Sequence, residues 1–111
     1  MATEIEGVAA HLEFELSSRC STLLAHLARW QRQAGNRCEL WRRLIDIQRK
    51  RIQRMLSRAP GLLALISDPE FLQDAWLDAL FNVVGENACH DLPETSPWSL
   101  QQALAADYYP D

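Results

Sequence analysis

Two apolar stripes at helical spacing, separated by one turn signal, constrain this chain more than anything else in it. Ile5, Val8, Leu12, Leu16, Cys20, Leu23, Leu27 and Trp30 recur at steps of three or four. That spacing lines one face of a continuous helix. Thr3 and Glu6 stand where a capping box would open it, Thr3 at N-cap and Glu6 at N3. Ala34-Gly35 closes it, glycine being the usual residue just past a helix end. A second stripe follows at once. Trp41, Ile45, Gln48, Ile52 and Met55 step by 4, 3, 4 and 3, a heptad-like seam. Leu40, Leu44 and Ile47 widen the seam on one side and Leu56 on the other. Asn36 is the expected N-cap, with Glu39 at N3. Two long helices joined by so short a turn predict an antiparallel hairpin.

The remainder reads as shorter helical pieces laid on that hairpin. The predicted helices are about 3–34, 36–58, a short one at 61–66, 68–87 and 97–104, with a tail at 105–111. A bend near Ser17-Ser18 is allowed for in the first. Ser67 is the expected cap of the fourth, with Pro69 in its first turn and Glu70 at N3. Leu72, Trp76, Leu80 and Val83 form its apolar face, and Asp74 and Asp78 its polar one. Ser96-Pro97 opens the last helix. No alternation of strand type occurs. The expected architecture is all-α: one domain over 1–111, a long antiparallel helix hairpin with a third long helix and short closing helices. The residues expected in its core are Leu23, Leu27, Trp30, Trp41, Ile45, Gln48, Ile52, Trp76, Leu80 and Trp98.

Charge divides the chain into blocks. Ten of its eleven basic residues lie between Arg29 and Arg58, where only Glu39 and Asp46 are acidic. No Lys or Arg follows Arg58, and four Glu precede Arg29 against one Arg. The net charge is −4. On a helical projection Arg42, Arg43, Arg49, Lys50, Arg51 and Arg54 are expected on the arc away from the seam. Arg42, Arg43, Arg49, Lys50 and Arg54 form the candidate binding face. Guanidinium groups fork onto phosphate or carboxylate. Three fates are open to such a face: internal pairing with the acidic helix through Asp74 and Asp78, an acidic protein partner, or nucleic acid.

Chemistry beyond that face is sparse. Gln48 in the seam is expected to bond a polar group such as Gln31 or His26 and so fix register, since a buried amide left unpaired costs about 1–3 kcal/mol. Cys20, Cys38 and Cys89 lack paired spacing and read as buried or half-buried thiols. His11 and Glu15 at i,i+4, or Cys89-His90, fall short of a metal ligand set. No phosphate loop, G-x-S-x-G or H-E-x-x-H is present. Accordingly no catalytic residue, cofactor or metal site is predicted, and the chain is not read as an enzyme. No apolar run approaches the ~20 residues that span a bilayer, and the N-terminus lacks the basic start of a signal peptide. A cytoplasmic location and no membrane partner are the expectations.

Five ordered segments carry a resemblance. Leu23-Leu24-Ala25-His26-Leu27-Ala28-Arg29-Trp30-Gln31 resembles the LL-HLLKWQ segment of the bacterial family known as domain of unknown function 29. Trp41-Arg42, Ile45, Gln48-Arg49 and Ile52 are similar to its W-R…I…Q-R…I helix. Ala75-Trp76 with Asp78-Ala79 resembles its A-W-x-D-A pattern. Leu92-Pro93-Glu94 and Pro97-Trp98 through Leu104 look like its closing segment, and Glu4-Ile5-Glu6 like its EEIE. The resemblance implies an all-helical bundle from a cytoplasmic bacterial protein, and brings no function with it. Family members carry a further aromatic and acidic stretch ahead of that EEIE, where this chain starts. If that stretch packs on the bundle in the family, its absence here would leave apolar surface for a partner or a second copy to cover. The preferred functional expectation is therefore a non-enzymatic protein–protein interaction module, binding a protein partner or itself. The alternative is nucleic-acid binding through the Arg-rich face. No small-molecule ligand is evident.

Overall fold

In the computed structural model, residues 2–84 and 92–110 are described, without the side chains of 2–9, 83 and 84. The order is α1 (Ala2–Arg32), a 3₁₀ turn (Ala34–Asn36), α2 (Glu39–Arg58), a second 3₁₀ turn (Pro60–Leu62), α3 (Leu63–Ile66), α4 (Pro69–Val84) and α5 (Leu100–Leu104). No strand occurs among the described residues, so the fold is all-α. No helix among them is long and apolar enough to cross a membrane.

The long stripe of α1 buries Leu16, Cys20, Leu23, Leu24, Leu27 and Ala28. The helix runs through Ser17 and Ser18 without interruption. It is the central element, packing against both α2 and α4. The hairpin with α2 forms as predicted: Arg37 sits on Trp30 at one end, and Leu12 lines a common groove with Arg58 and Ala59 at the other. Ile45, Ile52 and Leu56 carry the α2 side of the core, and Ala75, Trp76 and Ala79 the α4 side. Among the predicted core residues, Leu23, Leu27, Ile45, Ile52, Trp76 and Trp98 are buried; Trp30, Trp41, Gln48 and Leu80 are half-buried.

Each helix start moved by one to three residues, for local reasons. Asn36 does not cap α2: its Nδ2 turns back to donate to Gln33 Oε1 at 3.1 Å. Arg37 is drawn onto α1, its Nε donating to the Trp30 carbonyl at 2.7 Å. The chain then needs two more extended residues before α2 begins, so Cys38 is the N-cap, without a side-chain bond. Glu39 falls in the first turn rather than at N3. At α4 the cap is Asp68, not Ser67: Asp68 Oδ1 accepts from the Glu70 N–H at 2.9 Å. Pro69 then takes the first helical position, where its missing N–H costs nothing. Ser67 Oγ instead accepts from Gln101 Nε2 at 2.9 Å. At α5 the cap is Ser99, whose Oγ accepts from the Gln102 N–H at 3.1 Å. The predicted cap at Thr3 and Glu6, the Val83 side chain, Cys89 and His90 lie outside the described residues.

The segment after α4 closes the remaining side of the bundle. Trp76 Nε1 donates to the Pro93 carbonyl at 2.9 Å, and its ring meets Trp98 edge-on at 5.8 Å. Leu100, Ala103 and Leu104 are buried beneath α5. From there the tail runs along α2 towards the hairpin turn.

Candidate functional site

The basic helix α2 presents two flanks with opposite fates. On the flank facing the tail, Arg49 is only 4% exposed. Its Nε donates to the Ala103 carbonyl at 2.8 Å and its Nη1 to the Ala106 carbonyl at 3.2 Å; its Nη2 donates to the Tyr108 carbonyl. One guanidinium thus satisfies three carbonyls at the end of α5 and in the tail, which has no ladder of its own to take them. Burial lowers the Arg49 pKa from its ordinary value, opposed chiefly by Tyr109 and Asp46.

Tyr109 packs into the same flank. The Arg42 and Arg49 guanidinium groups each lie 5.1 Å from its ring centroid, and the Trp30 ring is 5.0 Å away. Its hydroxyl donates to Asp46 Oδ1 at 3.2 Å. Burial and the Asp46 charge hold the phenol above its usual range, with Arg49 and Arg42 pulling the other way. Arg37 completes the cluster, its guanidinium over Trp30 at 5.0 Å and its Nη2 donating to the Pro110 carbonyl at 3.3 Å.

This corrects the projection of the candidate face. Arg49 leaves it: four residues beyond Ile45 and three before Ile52, it stands about 40° from Ile45 on a helix of 3.6 residues per turn. Its side chain belongs to the buried stripe, where the carbonyls of the tail meet it. Arg42 is exposed but committed to Tyr109.

The other flank remains open. A groove of about 680 Å³ runs between α1 and the second half of α2. Leu12, Ile47, Met55 and Ala59 give it an apolar floor. Arg19, Lys50, Arg51, Arg54 and Arg58 ring it, with Glu15 on the α1 wall. Arg19 Nη2 bonds Glu15 Oε1 at 3.2 Å, an i,i+4 pair within α1. Lys50, Arg51, Arg54 and Arg58, together with Arg43 nearer the start of α2, have no ion-pair partner among the described residues. Asp74 and Asp78 do not reach them: both are exposed on α4, which packs on α1. Lys50, Arg51 and Arg54 were expected on the outer arc. Arg19 and Arg58 complete the ring and were missed, because the groove is made by two helices meeting and has no pattern within either.

Two further sites depart from expectation. Gln48 is half-buried in the seam, as its register requires, but its Oε1 is buried with no hydrogen-bond partner among the described residues. No bond from Gln31 or His26 reaches that oxygen. Cys38 is exposed, whereas Cys20 is fully buried, and burial raises its thiol to about 12. Among the described residues, no group of three or more His, Cys, Asp or Glu is placed to hold a metal ion.

The model of the family described as "Domain of unknown function DUF29" matches residues 1–109, nearly the whole chain. No curated protein and no solved structure matches the chain.

Proposed function

For a chain that belongs to the DUF29 family, whose description assigns no activity, we propose a non-enzymatic role as a protein-interaction module that binds through the α1–α2 groove. One observation carries this reading: an apolar floor beside Lys50, Arg51, Arg54 and Arg58, which have no ion-pair partner among the described residues. Exposed cations clustered without counter-charges repel one another, and a carboxylate-bearing partner relieves that repulsion. The floor of Leu12, Ile47, Met55 and Ala59 supplies the second half of a helix-in-groove site, where apolar anchors give affinity and rim charges give orientation.

Nucleic acid fits the groove less well. Phosphate makes no use of an apolar floor. The chain as a whole is also acidic, with a net charge of −4, against the usual footprint of a nucleic-acid binder. The two readings separate in one titration series. A synthetic amphipathic helix of leucine and glutamate, and a mixed DNA duplex, are each titrated against the full chain across salt concentrations. Saturable binding of the peptide, lost in Arg51→Glu/Arg54→Glu, supports the module. Tight duplex binding with a steep salt slope, and none to the peptide, sinks it.

A further inference from the structure

The reading of the groove as a docking surface leaves its occupant unnamed, and the chain itself carries a segment of matching chemistry. We infer that the groove takes the N-terminal part of α1 from a second copy of this chain, giving a two-fold dimer.

Charge is the first argument. Glu4, Glu6, Glu13 and Glu15 lie in the first eighteen residues, which contain no Lys or Arg. The groove rim holds Lys50, Arg51, Arg54 and Arg58 without an ion-pair partner among the described residues. Within one molecule the two cannot meet fully, because α2 ends at Arg58, level with Leu12 of α1. The acidic residues before Leu12 lie past that end.

Pattern and length agree. Ile5, Val8 and Leu12 repeat at three and four in α1, the spacing of an apolar edge that a groove floor accepts. The stretch of α2 along the groove, Ile47 to Arg58, rises about 17 Å at 1.5 Å per residue. Ala2 to Leu12 rises about 15 Å on the same geometry.

The symmetry follows from where the groove lies. If two α1 helices pair antiparallel about a two-fold axis near Leu12, the N-terminal segment of each runs beside the second half of the other's α2. Leu12 of each copy is then shared between both sites. The contact is isologous, uses both grooves at once, and closes at two copies.

Sedimentation equilibrium of the full chain at low ionic strength and micromolar concentration tests this. The expected result is a dimer that dissociates as salt rises. Lys50→Glu/Arg51→Glu/Arg54→Glu is expected to be monomeric, as is Glu4→Lys/Glu6→Lys/Glu13→Lys. An equimolar mixture of the two is expected to recover the dimer, since each then supplies the charge the other lost. A photo-crosslinking residue at Arg54 gives a readout independent of how the variants fold: its intermolecular products are expected within residues 2–13 of the second copy. A wild-type chain that stays monomeric overturns the inference. So does a dimer indifferent to both charge reversals, or crosslinks that fall elsewhere. A monomer that still binds the synthetic acidic helix overturns only the occupant, and a monomer that binds neither overturns the groove reading as well.

Discussion

Arg49 and Arg51 sit two residues apart on one helix, carry the same group, and do opposite things. Arg49 is buried and spends its donors on three carbonyls of the C-terminal segment. Arg51 stands on the groove rim with no ion-pair partner among the described residues. A step of two residues turns about 200° around a helix, enough to exchange the interior for solvent. Basic residues in one run therefore share a composition without sharing a role: one flank of α2 is structural and the other is available.

The sharpest way to break that contrast is to truncate each arginine in turn. Arg49→Met should lower unfolding stability by about 3–5 kcal/mol, because three carbonyls lose their donor, the one on Ala103 at a buried bond. Arg51→Met and Arg54→Met should change it by less than about 0.5 kcal/mol, as exposed unpaired side chains do. Urea denaturation followed by circular dichroism measures all three. If Arg49→Met matched the other two, the tail would not depend on that guanidinium, and the division of the helix into two flanks would fail.

Tyr109→Ala tests the same flank from the other partner. It removes a ring packed on Trp30 and faced by Arg42 and Arg49. Aromatic pairing and cation–π contact contribute roughly 0.5–1.5 and 0.5–1 kcal/mol, so a loss of about 2 kcal/mol is expected. Trp30 fluorescence should change in the same variant, and an unchanged spectrum would mean the tail does not rest there in solution.

How much of this was legible beforehand differs by the range of the contact. The hairpin was legible because Leu16, Leu23, Leu27, Ile45 and Ile52 announce their face through spacing alone. Arg49 had a signal that was passed over: it falls in the i, i+4, i+7, i+11 row of Ile45, Ile52 and Leu56. Its charge argued for the surface, and the carbonyls that reverse that argument lie more than fifty residues away. Tyr108-Tyr109-Pro110 has no periodicity, so nothing local showed where the tail would lie. The cap of α4 falls at Asp68 rather than the neighbouring Ser67, and that of α5 at Ser99, three residues past Ser96. At α4 two adjacent residues can accept from the first turn, and the tertiary bond from Gln101 to Ser67 chooses between them. The groove was invisible for a different reason, belonging to two helices at once.

Alkaline pH should loosen the tail flank before the groove flank. The Tyr109 phenol titrates above its ordinary value of 10 in the folded chain, from burial and Asp46. A folded-state pKa raised in this way contributes stability that is present below the unfolded value and is lost as pH rises through the folded one. Wild-type stability should therefore fall above about pH 10 more steeply than that of Tyr109→Phe, which has no proton to lose. Cys20, raised to about 12 by burial, adds a loss of the same sign in both proteins and drops out of the comparison. Parallel curves for the two would show that the phenol titrates alike in the folded and unfolded chain, so that neither its burial nor Asp46 shifts it in solution.

The smallest effect is the most discriminating about the seam. Gln48 looks like a polar peg chosen to fix register, which requires a partner for its amide. Its Oε1 is buried and has none among the described residues. A buried acceptor without a donor costs about 1–3 kcal/mol, and replacing it by an apolar group of similar shape is neutral or favourable. Gln48→Met should therefore leave stability unchanged or raise it by about 1 kcal/mol, measured by the urea midpoint at constant slope. A loss above about 1 kcal/mol would mean that the amide is bonded in solution and that the seam depends on it. The register itself rests on Ile45, Ile52 and Leu56, all buried. Arg49 lies in the same row and bonds through each of its three side-chain nitrogens, so the polar residue that pins α2 in place is the arginine rather than the glutamine.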